Sequence, residues 1–439
     1  MARSLKAAGV LVALALAVGV AACGGGDDGG GEGGKGGENV ELSFFVGNTD
    51  QAVLPAKALI AAFEKKNPNI KVKLELGPQG AELDNMVKTR LATQEMTDVF
   101  TYNAGSLFQA LKPESQLQPL DDEPWVKNLD EAFVPTVSAN DQVYGAPYGS
   151  AFGGGILYNK KVYERLGLEI PKTWDEFMAN NAKIKAAGID PVIQSYGDTW
   201  TSQLFVLADY HNVAAQDPEW DKKYTANQVK YAQEPAIEGF KHLEEVNKAG
   251  YLNKNFGSVK FPPALSLLAK GKGAHYPALT IIVPNLETSD PDTIDDVGFF
   301  AQPAKDAADT GLTLWLPLGV YIPKTTEGAK LEAAKKFVAF IASPEGCEVS
   351  ANAFAPTGPY MLEGCELPDE VPAAVKDLQP YVDDGKVTPA LEFLSPVKGP
   401  ALEQITVEVG SGLRSAEDGA KLYDEDVKKQ AQQLGLEGW

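Results

Sequence analysis

Apolar residues recur at two different periods along the first hundred positions. Ile70–Leu76 (IKVKLEL) alternates apolar and polar, as a half-buried strand does, and Glu41–Val46 (ELSFFV) is also strand-like. Between them, Val53–Lys66 places Leu59, Ile60 and Phe63 on one helical face, and Asn67-Pro68-Asn69 breaks the chain before the next strand. The unit is βαβ. A helix over 81–93 and a short buried strand over 98–102 (DVFTY) extend it. Such alternation predicts a parallel sheet with helices on both faces, and ligands of such sheets collect outside the carboxyl ends of the strands. Asn48–Gln51 and Tyr102–Ser106 are therefore the first candidates by position.

A second α/β segment begins after Tyr148. The run Gly153-Gly154-Gly155-Ile156-Leu157-Tyr158-Asn159 leads to a helix near Lys161–Leu166. Thr173 then opens another helix, with Glu176 completing a capping box. Pro191–Ser195 reads as a strand, Thr199–Asp209 as a helix, and Ala236–Ala249 as a helix stopped by Gly250. No repeat of 20 to 50 residues is visible, so the pattern is two α/β lobes and not a solenoid. The length of 439 residues agrees, since it exceeds a single domain about threefold.

The first 39 positions have a different character. Arg3 and Lys6 precede an uncharged run from Ala7 to Ala22, which reads as a secretory leader too short for a confident membrane span. Its end, Val20-Ala21-Ala22-Cys23, resembles the lipobox of bacterial lipoproteins, which makes Cys23 the expected lipidated residue. Residues 1–22 are then signal peptide. Residues 23–39 are the anchor and a tether, because ten of the fourteen residues from Gly24 to Gly37 are glycine and bury nothing. That glycine run is no phosphate loop, since no strand precedes it and no Gly-Lys-Ser/Thr follows.

Charge and composition narrow the function. Asp plus Glu number 60 against 39 Lys plus Arg, a net of -21, and such a surface repels nucleic-acid phosphates. With three His, widely separated, three Cys, no HExxH and no Asp-rich calcium loop, neither a metal nor a cofactor is expected. Outside the membrane, Cys347 and Cys365 are expected to form one structural disulfide worth roughly 3 kcal/mol on the chain-entropy model; two free thiols are the alternative. Adjacent acidic residues such as Asp121-Asp122-Glu123 read as a solvated surface, and no GxSxG nucleophile is present, so an enzyme is not expected.

Several segments in order resemble the extracellular solute-binding proteins, family 1, of ABC importers. They are Ala62–Val72, Asp98–Gly105, Tyr144-Gly145-Ala146-Pro147-Tyr148, Ile156–Lys160, Pro171–Glu176, Leu268–Ala274 and Leu318–Pro323 followed by Ala333–Ile341. The resemblance implies an α/β, two-lobed periplasmic-binding-protein-like fold of type II, with three hinge crossings and a ligand cleft between the lobes. By that analogy residues 40–147 plus 318–360 form the first lobe, and 148–317 plus 361–439 the second. It also implies a monomer on the outer face of a bacterial membrane, which binds a solute, most often a sugar, and delivers it to permease subunits. The alternatives are a lipoprotein for a non-sugar solute or with a sensor role, and a surface-anchored glycan hydrolase. Many sugar-binding members carry a Trp just after the turn that Leu268–Ala274 resembles; here Tyr276 is the nearest replacement.

A sugar offers an apolar face and a rim of hydroxyls, so its site needs aromatic plates and uncharged or carboxylate hydrogen-bond partners in a concave cleft. The expected ligand-binding residues are Asn48, Asp50, Tyr102, Asn103, Tyr148, Tyr196, Asp198, Trp200, Tyr276 and Trp315. For Trp200 and Trp315 the competing role is core packing, and for Asp198 it is a helix cap. Trp174 is expected to pack its own helix, and His211, His242 and His275 to be satisfied or solvated.

Overall fold

The computed structural model describes residues 39–78 and 80–439. The leader, Cys23 and the glycine-rich tether lie outside the described residues. No helix among the described residues is long and apolar enough to cross a membrane.

The first sheet starts as the hydrophobic pattern predicts. β1 (Val40–Gly47) pairs in parallel with β2 (Ile70–Gly77) along its whole length and with β3 (Val99–Tyr102). Leu42, Phe44, Phe45 and Val46 are all buried, as a strand covered on both faces requires. The helix between β1 and β2 spans Asp50–Lys66, three residues longer at its start than expected, because the Thr49 side chain accepts from the Ala52 N–H and caps it. Phe63 of this helix and Phe44 of β1 both meet the edge of Phe337, which lies on the helix Gly328–Ile341. These rings tie the sheet to two of the helices that cover it.

The chain then runs through a two-stranded ribbon, β4 (Ser138–Ala139) with β5 (Gln142–Val143), to β6 (Gly145–Tyr148). It crosses at 149–151 into a second sheet made of β7 (Phe152–Asn159), β8 (Asp190–Val192), β9 (Gly273–Leu279), β10 (Val297–Ala301) and β11 (Leu312–Trp315). It crosses back at Leu316-Pro317, and β12 (Leu318–Tyr321) inserts between β3 and β6, antiparallel to both. A third crossing brings β13 (Val387–Pro389) to the edge of the second sheet beside β11. The sheet orders are β2-β1-β3-β12-β6 and β13-β11-β7-β9-β8, with β10 also on β7.

Three details depart from the sequence expectation. The first sheet is not wholly parallel, since β12 runs against β3 and β6. The second sheet is mixed: β7 runs antiparallel to β9, β10 and β11, because its neighbours return to it from later segments instead of through βαβ crossovers. The expected helix over 199–209 is broken into a 3-10 turn at Thr199–Gln203, a turn of helix at Leu204–Leu207 and a separate helix at Tyr210–Gln216. The capping box holds, with Thr173 and Glu176 bonding reciprocally, and Gly250 follows the helix Glu238–Lys248 at φ 65°.

Cys347 and Cys365 are joined, their Cα atoms 5.8 Å apart. The bond fastens the helix Pro344–Ala353 to a segment still held by the first lobe, where the Asp130 N–H donates to the Met361 carbonyl and Leu129 bridges Leu362. First-lobe contacts therefore run past 360 to the second cysteine. One hydrophobic cluster, with Phe44, Phe337, Leu157 and Leu312, spans the first lobe and the adjoining side of the second. Another, with Trp174, Phe177, Trp220 and Tyr423, fills the body of the second.

Candidate functional site

A cavity of about 230 Å³ lies where the two sheets meet, at the crossings. Thr49 and Gln51 follow β1, Asn103 and Ala104 follow β3, and both pairs line it. The carboxyl-end rule thus places the first-lobe wall. Tyr148, Ser150 and Phe152 line it from the first crossing, Trp315 to Leu318 from the second, and Glu392 and Phe393 from the helix Leu391–Leu394 after the third.

Trp315 is the centre of this arrangement. Strand register sets it opposite Phe152, and the two rings stack at 12° with centroids 6.3 Å apart. Its indole N–H donates to Glu392 Oε1 at 2.9 Å, and Glu392 Oε2 accepts from Lys398 Nζ at 2.9 Å. The cavity's one acidic side chain is thereby matched by a cation behind it. Trp315 is 6 % exposed, so nearly all of its ring is packed and only a small part remains for a ligand.

The opposite wall is also held. The Tyr148 hydroxyl donates to the Ala52 carbonyl at 2.6 Å, and burial raises its pKa, so it stays a neutral phenol. Pro55 lies inside the same helix and has no N–H to return to the Gln51 carbonyl four residues back. Near the rim, Gly105 at φ 70° takes the backbone of Phe393 so closely that a β-carbon would sit 2.8 Å from the Phe393 Cα. The lobes touch there. Aromatic faces, amides of Asn103 and Gln51, hydroxyls of Thr49 and Ser150, and a neutralised carboxylate make a lining for an uncharged polar ligand.

Of the ten expected ligand-binding residues, the structure brings Asn103, Tyr148 and Trp315 together in this cavity. Asp50 is exposed and lines a neighbouring groove, while Asn48 is exposed at the end of β1, its N–H on the Gly77 carbonyl. The other five lie elsewhere. Tyr102 is buried, with its hydroxyl on Asp84; that carboxylate and, above all, burial raise its pKa. Tyr276 is 1 % exposed and shares a 2.6 Å bond with the Ser195 hydroxyl. Tyr196 is buried beside Phe256. Asp198 accepts from the Phe261 N–H at 2.7 Å, and Trp200 packs on the Phe261 ring at 5.7 Å, so this pair serves the start of the helix Phe261–Ala269.

Phe152, Ile281, Glu392 and Phe393 line the cavity without having been expected there. Phe152 had a signal, since it stands directly before the glycine run of a strand that leaves a crossing. Glu392 had none, being 77 positions from the tryptophan that it holds.

Residues 47–346 match the family model of the bacterial extracellular solute-binding proteins. The chain belongs to that family. This solute-binding protein is 26 % identical to the multiple sugar-binding protein of Streptococcus mutans over 295 residues, which cover 65 % of this chain and 67 % of that one. It is 23 % identical to the melibiose/raffinose/stachyose-binding protein MelE of Bacillus subtilis over 417 residues, covering 89 % of this chain and 90 % of that one. The fold is shared with a family 1 extracellular solute-binding protein from Bifidobacterium longum subsp. infantis, at a TM-score of 0.73 and 22 % identity, covering 90 % of this chain and all of that one.

His275 bonds Tyr163 at 2.7 Å and Asn181 at 2.9 Å through its two ring nitrogens, and His242 stacks on Trp174 at 3.6 Å. Both histidines are spent in the core of the second lobe. Among the described residues no group of three His, Cys, Asp or Glu is placed to hold a metal ion.

Proposed function

We propose that this protein is the carbohydrate-capturing component of an ABC importer, anchored through Cys23 to the outer face of a bacterial membrane. It holds a sugar between its lobes and presents it, as a monomer, to permease subunits. The observation that carries the ligand class is the Trp315–Phe152 wall, with Glu392 held at the indole and neutralised by Lys398. A pyranose offers its C–H face to the half-buried Phe152 and the small exposed part of Trp315, and its hydroxyls to Asn103, Gln51 and Glu392. The names of the Streptococcus mutans and Bacillus subtilis relatives support the same class. The lobes are assigned as 40–147 plus 318 to about 365, and 148–317 plus the remainder, with solute shifting the molecule from open to closed.

The test is a thermal-shift screen of the chain from residue 39 onward against mono- and oligosaccharides, polyols, amino acids and peptides. Sugars should raise the melting temperature in proportion to the logarithm of their concentration, and should be recovered unchanged. A response confined to amino acids or peptides would overturn the ligand class, and turnover of the sugar would overturn the binding role.

A further inference from the structure

A separate cavity of about 400 Å³ opens in the second lobe, a volume within the range of small-molecule sites. It shares no lining residue with the cavity at Trp315. The helices Tyr210–Gln216 and Glu238–Lys248 form its sides, and the loop after β10 closes it with Ala304 and Lys305. Asp209 and Asn212 lie deepest, both buried, while Glu234 and Glu238 stand further out.

The buried polar atoms left over around Asp209 are all acceptors. Asn212 and Gln302 each give their side-chain N–H groups to Asp209 Oδ1 and to a backbone carbonyl, that of Gln302 for the first and of Phe205 for the second. Their amide oxygens, Asn212 Oδ1 and Gln302 Oε1, have no hydrogen-bond partner among the described residues. Asn212 lines the cavity and is only 3 % exposed, so this oxygen is removed from bulk solvent with its bonding capacity unused. Charge points the same way. The Lys241 ammonium pairs with Glu234 and Glu238, and no ion pair reaches Asp209 among the described residues.

Such a site calls for positive charge carried on several N–H donors. A divalent ion fits it poorly, because hard cations need six or more oxygen ligands and no group of three His, Cys, Asp or Glu among the described residues is placed to hold one. An ammonium has three donors and no acceptor, and the Lys241 side chain already satisfies the outer carboxylates in this way. We propose that this cavity binds a small molecule bearing a protonated primary amine, whose ammonium donates to the Asp209 carboxylate and to Asn212 Oδ1 while its alkyl stem lies along Val213 and Pro235. The site is distinct from the sugar cavity and does not depend on the carbohydrate reading.

The test titrates the chain from residue 39 onward with butylammonium and putrescine, and in parallel with the neutral butanamide, calcium chloride and magnesium chloride, by isothermal calorimetry at pH 8. Burial raises the Asp209 carboxyl to about 7, so at pH 8 it is ionised. At least one of the amines should bind with a dissociation constant below about 1 mM, and butanamide should not. Asp209→Asn, which keeps an acceptor for both amides, should weaken the amine about tenfold or more. Lys305→Ala, which removes a cation from the exposed rim, should not weaken it. Butanamide binding as tightly as the amine, an equal loss in the two variants, calcium or magnesium binding in place of an amine, or no binding of any probe each overturns the proposal and leaves the carbohydrate reading standing.

Discussion

A β-carbon on Gly154 would come within 2.3 Å of Trp315 Cζ3, on the six-membered ring of the indole. The pair are diagonal neighbours on antiparallel strands, Gly154 opposite Thr313 and Trp315 opposite Phe152, so the six-membered ring rests against bare backbone. Gly154→Ala should therefore displace the ring and break its bond to Glu392. The expected cost is about 1–3 kcal/mol of stability from overpacking, with sugar affinity lost to a greater degree. Melting curves and titration calorimetry on the same sample read the two effects separately.

Glu392 can be divided chemically. Glu392→Gln keeps an acceptor for the indole but gives up the ion pair with Lys398, whose side chain is 39 % exposed; such a pair is worth about 0–1 kcal/mol. Glu392→Ala removes both bonds and leaves the indole N–H unsatisfied. Affinity should be weakened modestly by Gln and severely by Ala, and an equal loss in both would show that the charge, not the hold on Trp315, is what matters.

Asp209 is 2 % exposed and, among the described residues, its Oδ1 accepts from the amides of Asn212 and Gln302, at 2.8 and 3.1 Å. Burial pushes its carboxyl up to about 7, and Glu238 and Glu234 add to this. In the window from about 4 to 7 the folded protein holds a proton that the unfolded chain has released, so stability falls as pH rises through that window. Asp209→Asn keeps an acceptor for both amides and removes the charge. It should be more stable than the parent at pH 8, by a few kcal/mol at about 1.4 kcal/mol per unit, with the gain gone near pH 4. Chemical denaturation at the two pH values measures it.

The histidines act in the opposite sense. Burial holds His242 and His275 down to about 3 and His211 to about 4, so each is neutral when folded. Their contribution is fully present above about 6.5 and is lost as pH falls from there, because the unfolded chain takes up the protons first. His275→Gln should flatten the acid limb of the stability profile while lowering stability at neutral pH, since both ring nitrogens of His275 are bonded.

Reduction of the Cys347–Cys365 bond, or the paired change to serine, should cost about 2–4 kcal/mol. The loss should appear in melting experiments with and without reductant.

Local chemistry carried much of this structure into the sequence. The β1–helix–β2 unit, the Thr173 capping box and the first-lobe side of the cavity follow from period, caps and the carboxyl ends of strands. What stayed hidden depends on pairing at long range. Nothing around Tyr276 or Tyr196 distinguishes a tyrosine that reaches a ligand from one whose hydroxyl meets Ser195 or is packed away against Phe256. The direction of β9, β10 and β11 depends on where each segment returns, and the partnership of Trp315 with Glu392 requires the third crossing to be in place. Only folding brings residue 392 to residue 315.

The position of β12 bears on the order in which the molecule can be built. It is the strand between β3 and β6, yet it is made about 170 residues after β6. A nascent chain that stops anywhere before Leu318 leaves β3 and β6 each with an open edge, so the first lobe cannot close until the segment carrying most of the second has been synthesised. The two lobes are therefore not separable products. A cut at 149–151 leaves the second sheet whole but takes β12 away from the first, so the N-terminal piece keeps two open edges that only the C-terminal piece can fill.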